Sequence, residues 1–198
     1  MQSLPKLVGW RLIRPALAST PNLRLSCTEG QTQELFGMLV SGRLDGILAD
    51  EPAPASLRAR AFSKRLHSSQ CIFCATPAVV QRLRKEFPKS LNDSPALLPT
   101  ERTPWRHQID RWFEANDIQP RIVAEFDDVA LMKTAAADGL GFVPVLESVL
   151  SEAVGRYGLE PIGPPVDAGL SCYLITVEQT TRHPALVALT TGAQDVEV

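Results

Sequence analysis

The chain has 198 residues, 44% hydrophobic and 21% charged, which is ordinary globular composition for one two-lobed domain or two small ones. Its 20 Lys and Arg against 22 Asp and Glu give a formal charge of −2, without the basic excess of a nucleic-acid binder. No signal segment opens the chain, and no apolar run approaches the roughly 18–20 residues of a membrane span, so a cytoplasmic protein is expected over an exported solute-binding one.

Ser3 is a candidate N-cap, with Pro5 in the first turn and Leu4, Leu7, Val8 and Leu12 at helical spacing. Pro15 is expected to bend or end that helix. Beyond Thr20-Pro-Asn22, alternation over 23–27 predicts a strand. A helix is expected from Thr32 to Ser41, stopped by Gly42, then a buried strand over 44–49 that ends at Asp50-Glu-Pro52. Two extended segments follow, 58–66 and 70–75, then a helix over 77–87, whose run Arg82-Leu-Arg-Lys85 reads as a solvated face. A short strand over 96–98 leads to a helix over 104–116, where Trp105, Ile109, Trp112 and Phe113 read as core. The strand 121–126 is followed by a helix capped at Asp127 and running to Ala137. Gly139-Leu-Gly141 turns the chain into a strand over 142–145, followed by a helix over 147–157, a strand over 170–177 and a last helix over 185–191. This alternation is the rhythm of a parallel sheet with crossover helices.

Chemical motifs are sparse. Cys71 and Cys74 make a C-x2-C pair, but zinc needs four ligands, and the pair sits in a strand; buried, reduced thiols are the reading. There is no G-x-S-x-G, no H-E-x-x-H and no Walker loop, and His67, His107 and His183 are scattered. Gly139-Leu-Gly141 lacks the third glycine of a dinucleotide fingerprint and reads as backbone punctuation allowing positive φ and close packing. No catalytic residue, metal site or cofactor is expected. What remains are helix starts at the ends of strands, where open parallel sheets bind ligands: Ser3 with Leu4, Thr100 to Thr103, and Asp127 with Asp128. Free amides at helix starts attract anions, but the acidic pair would oppose one and favour a neutral or cationic effector. The plainer reading of the pair is an N-cap beside a first-turn carboxylate.

Glu29-Gly-Gln-Thr-Gln-Glu-Leu35 followed by Ser41-Gly-Arg-Leu-Asp-Gly-Ile-Leu48 resembles the LysR-type pattern of strand, helix, G-x-L-D and strand. Asp138-Gly-Leu-Gly-Phe-Val-Pro144 resembles the late G-x-G-x-x-P segment of the same family. Within it, Leu12 to Leu17, Leu48 to Pro52, Glu125 to Lys133 and Arg182 to Ala188 are similar to the NhaR-type, sodium-responsive subgroup that activates antiporter genes.

The resemblance implies an effector-sensing domain of a bacterial transcription regulator: α/β, two Rossmann-like lobes of the type II periplasmic-binding-protein kind, with a hinge and a cleft between them. Lobe one would comprise 1–66 and about 168–198, lobe two about 67–167. Carried over by position, the effector-binding residues would be Ser3, Thr100 with Glu101, Asp127, Asp128, Phe142, Val143 and Pro144, with Asp50 and Glu51 at the rim. A dimer or tetramer is implied, with a small-molecule or cation effector and no membrane. DNA would be reached only through a winged helix-turn-helix domain outside this chain. The family's first strand of lobe one, which should precede Gln2, is also without a counterpart, so a marginally stable lobe one is expected. The alternatives are a stand-alone solute-binding protein of the same fold and a small α/β enzyme.

Overall fold

The computed structural model describes residues 4–57, 60–178 and 183–192. Ser3, Arg58 and Arg182 fall outside that range. The first helix, α1 (Lys6–Ser19), buries Val8, Leu12, Ile13 and Ala16. It does not end at Pro15 but continues to Ser19. Proline withdraws one hydrogen bond, from the carbonyl of Arg11, while the buried stripe on either side stays packed. The expected strand over 23–27 does not form: the segment has no ladder partner among the described residues and Leu25 is exposed. Alternation alone cannot supply the neighbour that a strand needs.

Helix α2 (Thr32–Val40) buries Leu35, Phe36 and Leu39, and the three-residue β1 (Ile47–Ala49) is buried throughout. The two extended segments expected near 58–75 are one strand, β2 (Phe62–Ala75), since Ser68 and Ser69 keep the extended backbone. Next come α3 (Pro77–Leu83) with a 3₁₀ turn over 84–86, β3 (Pro95–Pro99), α4 (Pro104–Ala115) and β4 (Arg121–Phe126). Then follow α5 (Val129–Ala137), β5 (Val143–Leu146), α6 (Leu150–Tyr157), β6 (Glu160–Pro161), β7 (Val166–Thr176) and α7 (Pro184–Gly192).

The parallel rhythm read from the sequence holds only in part. β3 and β4 pair in parallel, and Ala96 bridges Phe142 in parallel. β1 instead runs antiparallel to β7, with Ile47 opposite Ile175, and β2 runs antiparallel to β5, with Cys71 opposite Leu146, and to β6. Crossover helices force parallel pairing only between strands they directly join, and β1 and β2 take partners far along the chain.

Contacts divide the chain into two units, residues 1–68 with 171–198 and residues 69–170. In the first, Leu35, Phe36 and Leu39 of α2 pack on Ile47 and Ala49 of β1 and Ile175 of β7, while α1 packs on α7. In the second, Phe73 of β2 centres an aromatic cluster, with ring centroids 5.2 Å from Trp112, 5.4 Å from Phe113 and 5.5 Å, edge-on, from Phe142. Such pairs contribute about 1 kcal/mol each beyond burial. Gly139 has φ +82°, and a Cβ on Gly141 would collide with the carbonyl of Pro95. This close approach lets Phe142 N–H donate to Pro95 O at 2.9 Å and join β5 to β3.

Candidate functional site

Because β3 and β4 are parallel, their carboxyl ends lie at the same edge of the second unit, where α4 and α5 begin. Thr100 follows β3 and Asp127 follows β4. The structure brings them together: Thr100 Oγ1 donates to Asp127 Oδ1 at 2.6 Å. Arg102, exposed in the loop before α4, reaches Asp127 Oδ2 at 2.8 Å. The Thr100 hydroxyl, and beyond it the Arg102 guanidinium, hold the Asp127 carboxyl below its ordinary value. Asp128, not Asp127, caps α5, accepting from the amides of Ala130 at 2.7 Å and Leu131 at 2.9 Å. The two acidic neighbours therefore divide their work: one carboxylate is paired with a guanidinium and the other is spent on a helix start. The edge is not a bare acidic patch, and the charge argument against an anionic ligand loses its premise.

Beneath this edge lies Arg106, on the first turn of α4 and 3% exposed. Its Nε donates to both oxygens of Asp110, at 2.8 and 3.0 Å, and its Nη1 to Pro99 O at 2.8 Å and to Glu125 Oε1. Burial alone would lower its pKa, but the hydrogen bonds it donates to Glu125 and Asp110, with the charges of those carboxylates, outweigh that and raise it. The guanidinium thus ties the last carbonyl of β3, a carboxylate of β4 and the body of α4 into one piece. The sequence reading passed over Arg106, although its i,i+4 spacing to Asp110 was visible; the contacts to Pro99 and Glu125 depend on the fold. Arg102 gave no local signal.

The other predicted residues of this unit are placed differently. Glu101 is exposed in the same loop. Phe142 and Val143 are fully buried and Pro144 is buried with them, the Phe142 ring committed to the aromatic cluster. On α5, Lys133 is 6% exposed, with its ammonium 5.2 Å from the Tyr157 ring centroid. Burial lowers its pKa, against the opposing pull of Glu152.

In the first unit, β1 delivers Asp50 and Glu51. Glu51 is exposed, whereas Asp50 is only 8% exposed and its Oδ2 has no hydrogen-bond partner among the described residues. Burial, opposed by a hydrogen bond to its own backbone and reinforced by the charge of Glu51, pushes the Asp50 carboxyl up to about 6. Both residues border a cavity of about 60 Å³ whose remaining walls are Phe36, Ile47, Ala49, Pro52, Pro54 and Ile175. The loop after it is pinned by Ala53 N–H donating to Ser63 Oγ at 2.9 Å. No group of three or more His, Cys, Asp or Glu able to hold a metal occurs among the described residues, and none of their helices is long and apolar enough to cross a membrane.

The family model described as LysR substrate binding domain matches residues 6–195. The transcriptional activator protein NhaR of Escherichia coli (strain K12) is 28% identical over 136 residues, 68% of this chain and 44% of NhaR, so the match spans less than half of that relative. Among solved structures, the regulatory domain of Synechocystis PCC6803 CcmR in complex with 2-PG superposes with TM-score 0.71 at 14% identity, covering 99% of this chain and 94% of that regulatory-domain chain. A reduced form of OxyR from N. meningitidis gives TM-score 0.73 at 18% identity, covering 98% and 91%.

Proposed function

Because the chain belongs to the LysR substrate binding domain family, we propose that it senses an effector for a bacterial transcription regulator. Its α/β fold is that of LysR-type regulatory domains, of the type II periplasmic-binding-protein kind. The observation that carries the reading is the family match over nearly the whole chain. The edge built by Thr100, Arg102 and Asp127 supports it, since two parallel strands end there and two helices begin.

In this reading the two units correspond to the two lobes, and Thr100, Glu101, Asp127 and Asp128 of the second and Asp50 and Glu51 of the first are each effector-binding residues of their own unit. Phe142 to Pro144 support the first set from beneath through their backbone. The regulator belongs to the NhaR-type subgroup, which the 28% identity over 136 residues supports. It works in the cytoplasm as a dimer or tetramer, without catalysis, and meets DNA through a winged helix-turn-helix domain outside this chain. Effector binding then biases the arrangement of the assembly and so the DNA contacts.

The coding DNA upstream provides one test: an in-frame winged-helix segment supports the regulator, while a secretion signal overturns it in favour of a solute-binding protein. A thermal-shift screen of small metabolites provides the second. A compound that stabilises the chain should lose its effect in Thr100→Val and Asp127→Asn, and full retention in both rejects the site.

A further inference from the structure

Between α1 and α2 the chain runs through the first unit in neither helix nor ladder. At its start a turn closes with Leu23 N–H donating to Thr20 O at 3.3 Å, and at its far end Gln31 O accepts from Leu35 N–H at 3.0 Å as α2 begins. From Arg24 to Cys27 no backbone group bonds to another described residue. All four of those residues are exposed, Leu25 at 44%. Glu29 reaches Lys6 of α1 at 3.9 Å, but both side chains are exposed and such a pair adds little.

Whether an endoprotease can cut a peptide bond in a folded chain is decided by the burial and hydrogen bonding of the backbone around it. A protease cleft takes its substrate as an added strand, through main-chain donors and acceptors, so a backbone already paired in a helix or sheet must first open. That requirement sorts the basic residues. The other described Lys and Arg lie in helices, 3₁₀ turns or strands, or in loops closed by a backbone bond. Arg43 N–H donates to Met38 O and Arg60 N–H to Leu57 O, both at 2.9 Å, and Arg102 lies inside the turn in which Thr103 N–H donates to Thr100 O. Arg24 is held in none of these ways. Its guanidinium suits an acidic specificity pocket, and Leu23 and Leu25 flank it with apolar side chains.

We propose that residues 23–30 form a processing segment, cut at the Arg24–Leu25 bond by an arginine-specific endoprotease. Water adds across the amide: the C–N bond breaks, Arg24 keeps the new carboxylate and Leu25 the new ammonium group. The fragment 1–24 retains α1, which buries Val8, Leu12, Ile13 and Ala16 and packs on α7. The cut therefore breaks the continuity of the chain without at once dismantling the core. That such a cut would part the sensing unit from a DNA-reading part ahead of it rests on the functional reading above; the cleavage itself rests on the first unit alone.

The test is limited digestion of the 198-residue chain with trypsin, and in parallel with subtilisin, followed by denaturing electrophoresis and intact mass. Trypsin should give fragments 1–24 and 25–198 among its first products. Arg24→Gln should slow the formation of that pair by about a hundredfold or more, because the specificity pocket loses its charged partner. Subtilisin, which does not need arginine, should cut early within 23–30 in both proteins. An Arg24–Leu25 bond still intact when trypsin has consumed half of the chain at other described arginines overturns the proposal. So does a subtilisin digest that enters a described helix or strand before it enters 23–30. The subtilisin series needs only the unmodified chain, so it decides even where the variant does not fold. Either failure leaves the regulator reading standing, because that reading falls to a secretion signal upstream and not to the fate of this bond.

Discussion

Replacing Asp50 by Asn should make the protein more stable at neutral pH. The unfolded chain gives up the Asp50 proton near 3.8 and the folded chain near 6, because burial penalises the charged form. Between those values the folded state binds more protons than the unfolded one, so this group's contribution to stability falls as pH rises through the window and is constant above it. A displacement of about two pKa units corresponds to about 3 kcal/mol, an upper bound because water and small movements relieve part of the penalty. Asn keeps the shape and cannot ionise, so it lacks this dependence. Urea unfolding followed by circular dichroism, at steps from pH 4 to pH 8, should show the two proteins close at pH 4. The variant should gain about 2–3 kcal/mol by pH 7. A difference that does not change with pH, or a variant less stable than the parent at pH 7.5, would refute the argument that the Asp50 carboxylate is stranded.

Arg106→Leu should cost about 3 kcal/mol in the same unfolding assay, since it leaves the carbonyl of Pro99 and the carboxylates of Asp110 and Glu125 without their donor. Arg106→Lys should recover less than half of that loss, because an ammonium cannot reach all three partners, and full recovery would mean that charge alone suffices. Gly141→Ala should destabilise by about 2 kcal/mol or more through the clash with the Pro95 backbone, while Leu140→Ser, at a side chain 52% exposed, should change the midpoint little. In the native state only Cys27 should react with Ellman's reagent, because Cys71, Cys74 and Cys172 are buried with thiols pushed up by burial; more than one fast thiol would contradict that placement.

Much of the second unit could be read from its residues. Pro104 opens α4 behind its Thr103 cap, Arg121–Phe126 is β4 to the residue, and Asp127-Asp128 marked the start of α5, since caps and helical spacing are local signals. The turn chemistry of Gly139 and Gly141 was legible for the same reason. What could not be read depends on distant parts of the chain. Leu23 to Cys27 alternates like a strand yet finds no ladder, and the pairing of Ile47 with Ile175 joins segments more than a hundred residues apart. At the site, the sequence marked Thr100 and Asp127 but not the Arg102 that neutralises the acid. It placed Asp50 beside Glu51 at a rim, and whether a residue at the end of a strand turns in or out is decided by what packs around it: Glu51 faces solvent while Asp50 lies beneath.

Arg106 has a mechanical consequence for whatever the second unit binds. One guanidinium joins the end of β3, the end of β4 and the first turns of α4, so the loops carrying Thr100 and Asp127 are mounted on a stiff bracket. A ligand drawing on either residue would load three elements at once, and little of its binding energy would be lost in local give. An edge mounted in this way passes a small displacement on as the motion of a block, which a sensor can use and a floppy loop would waste.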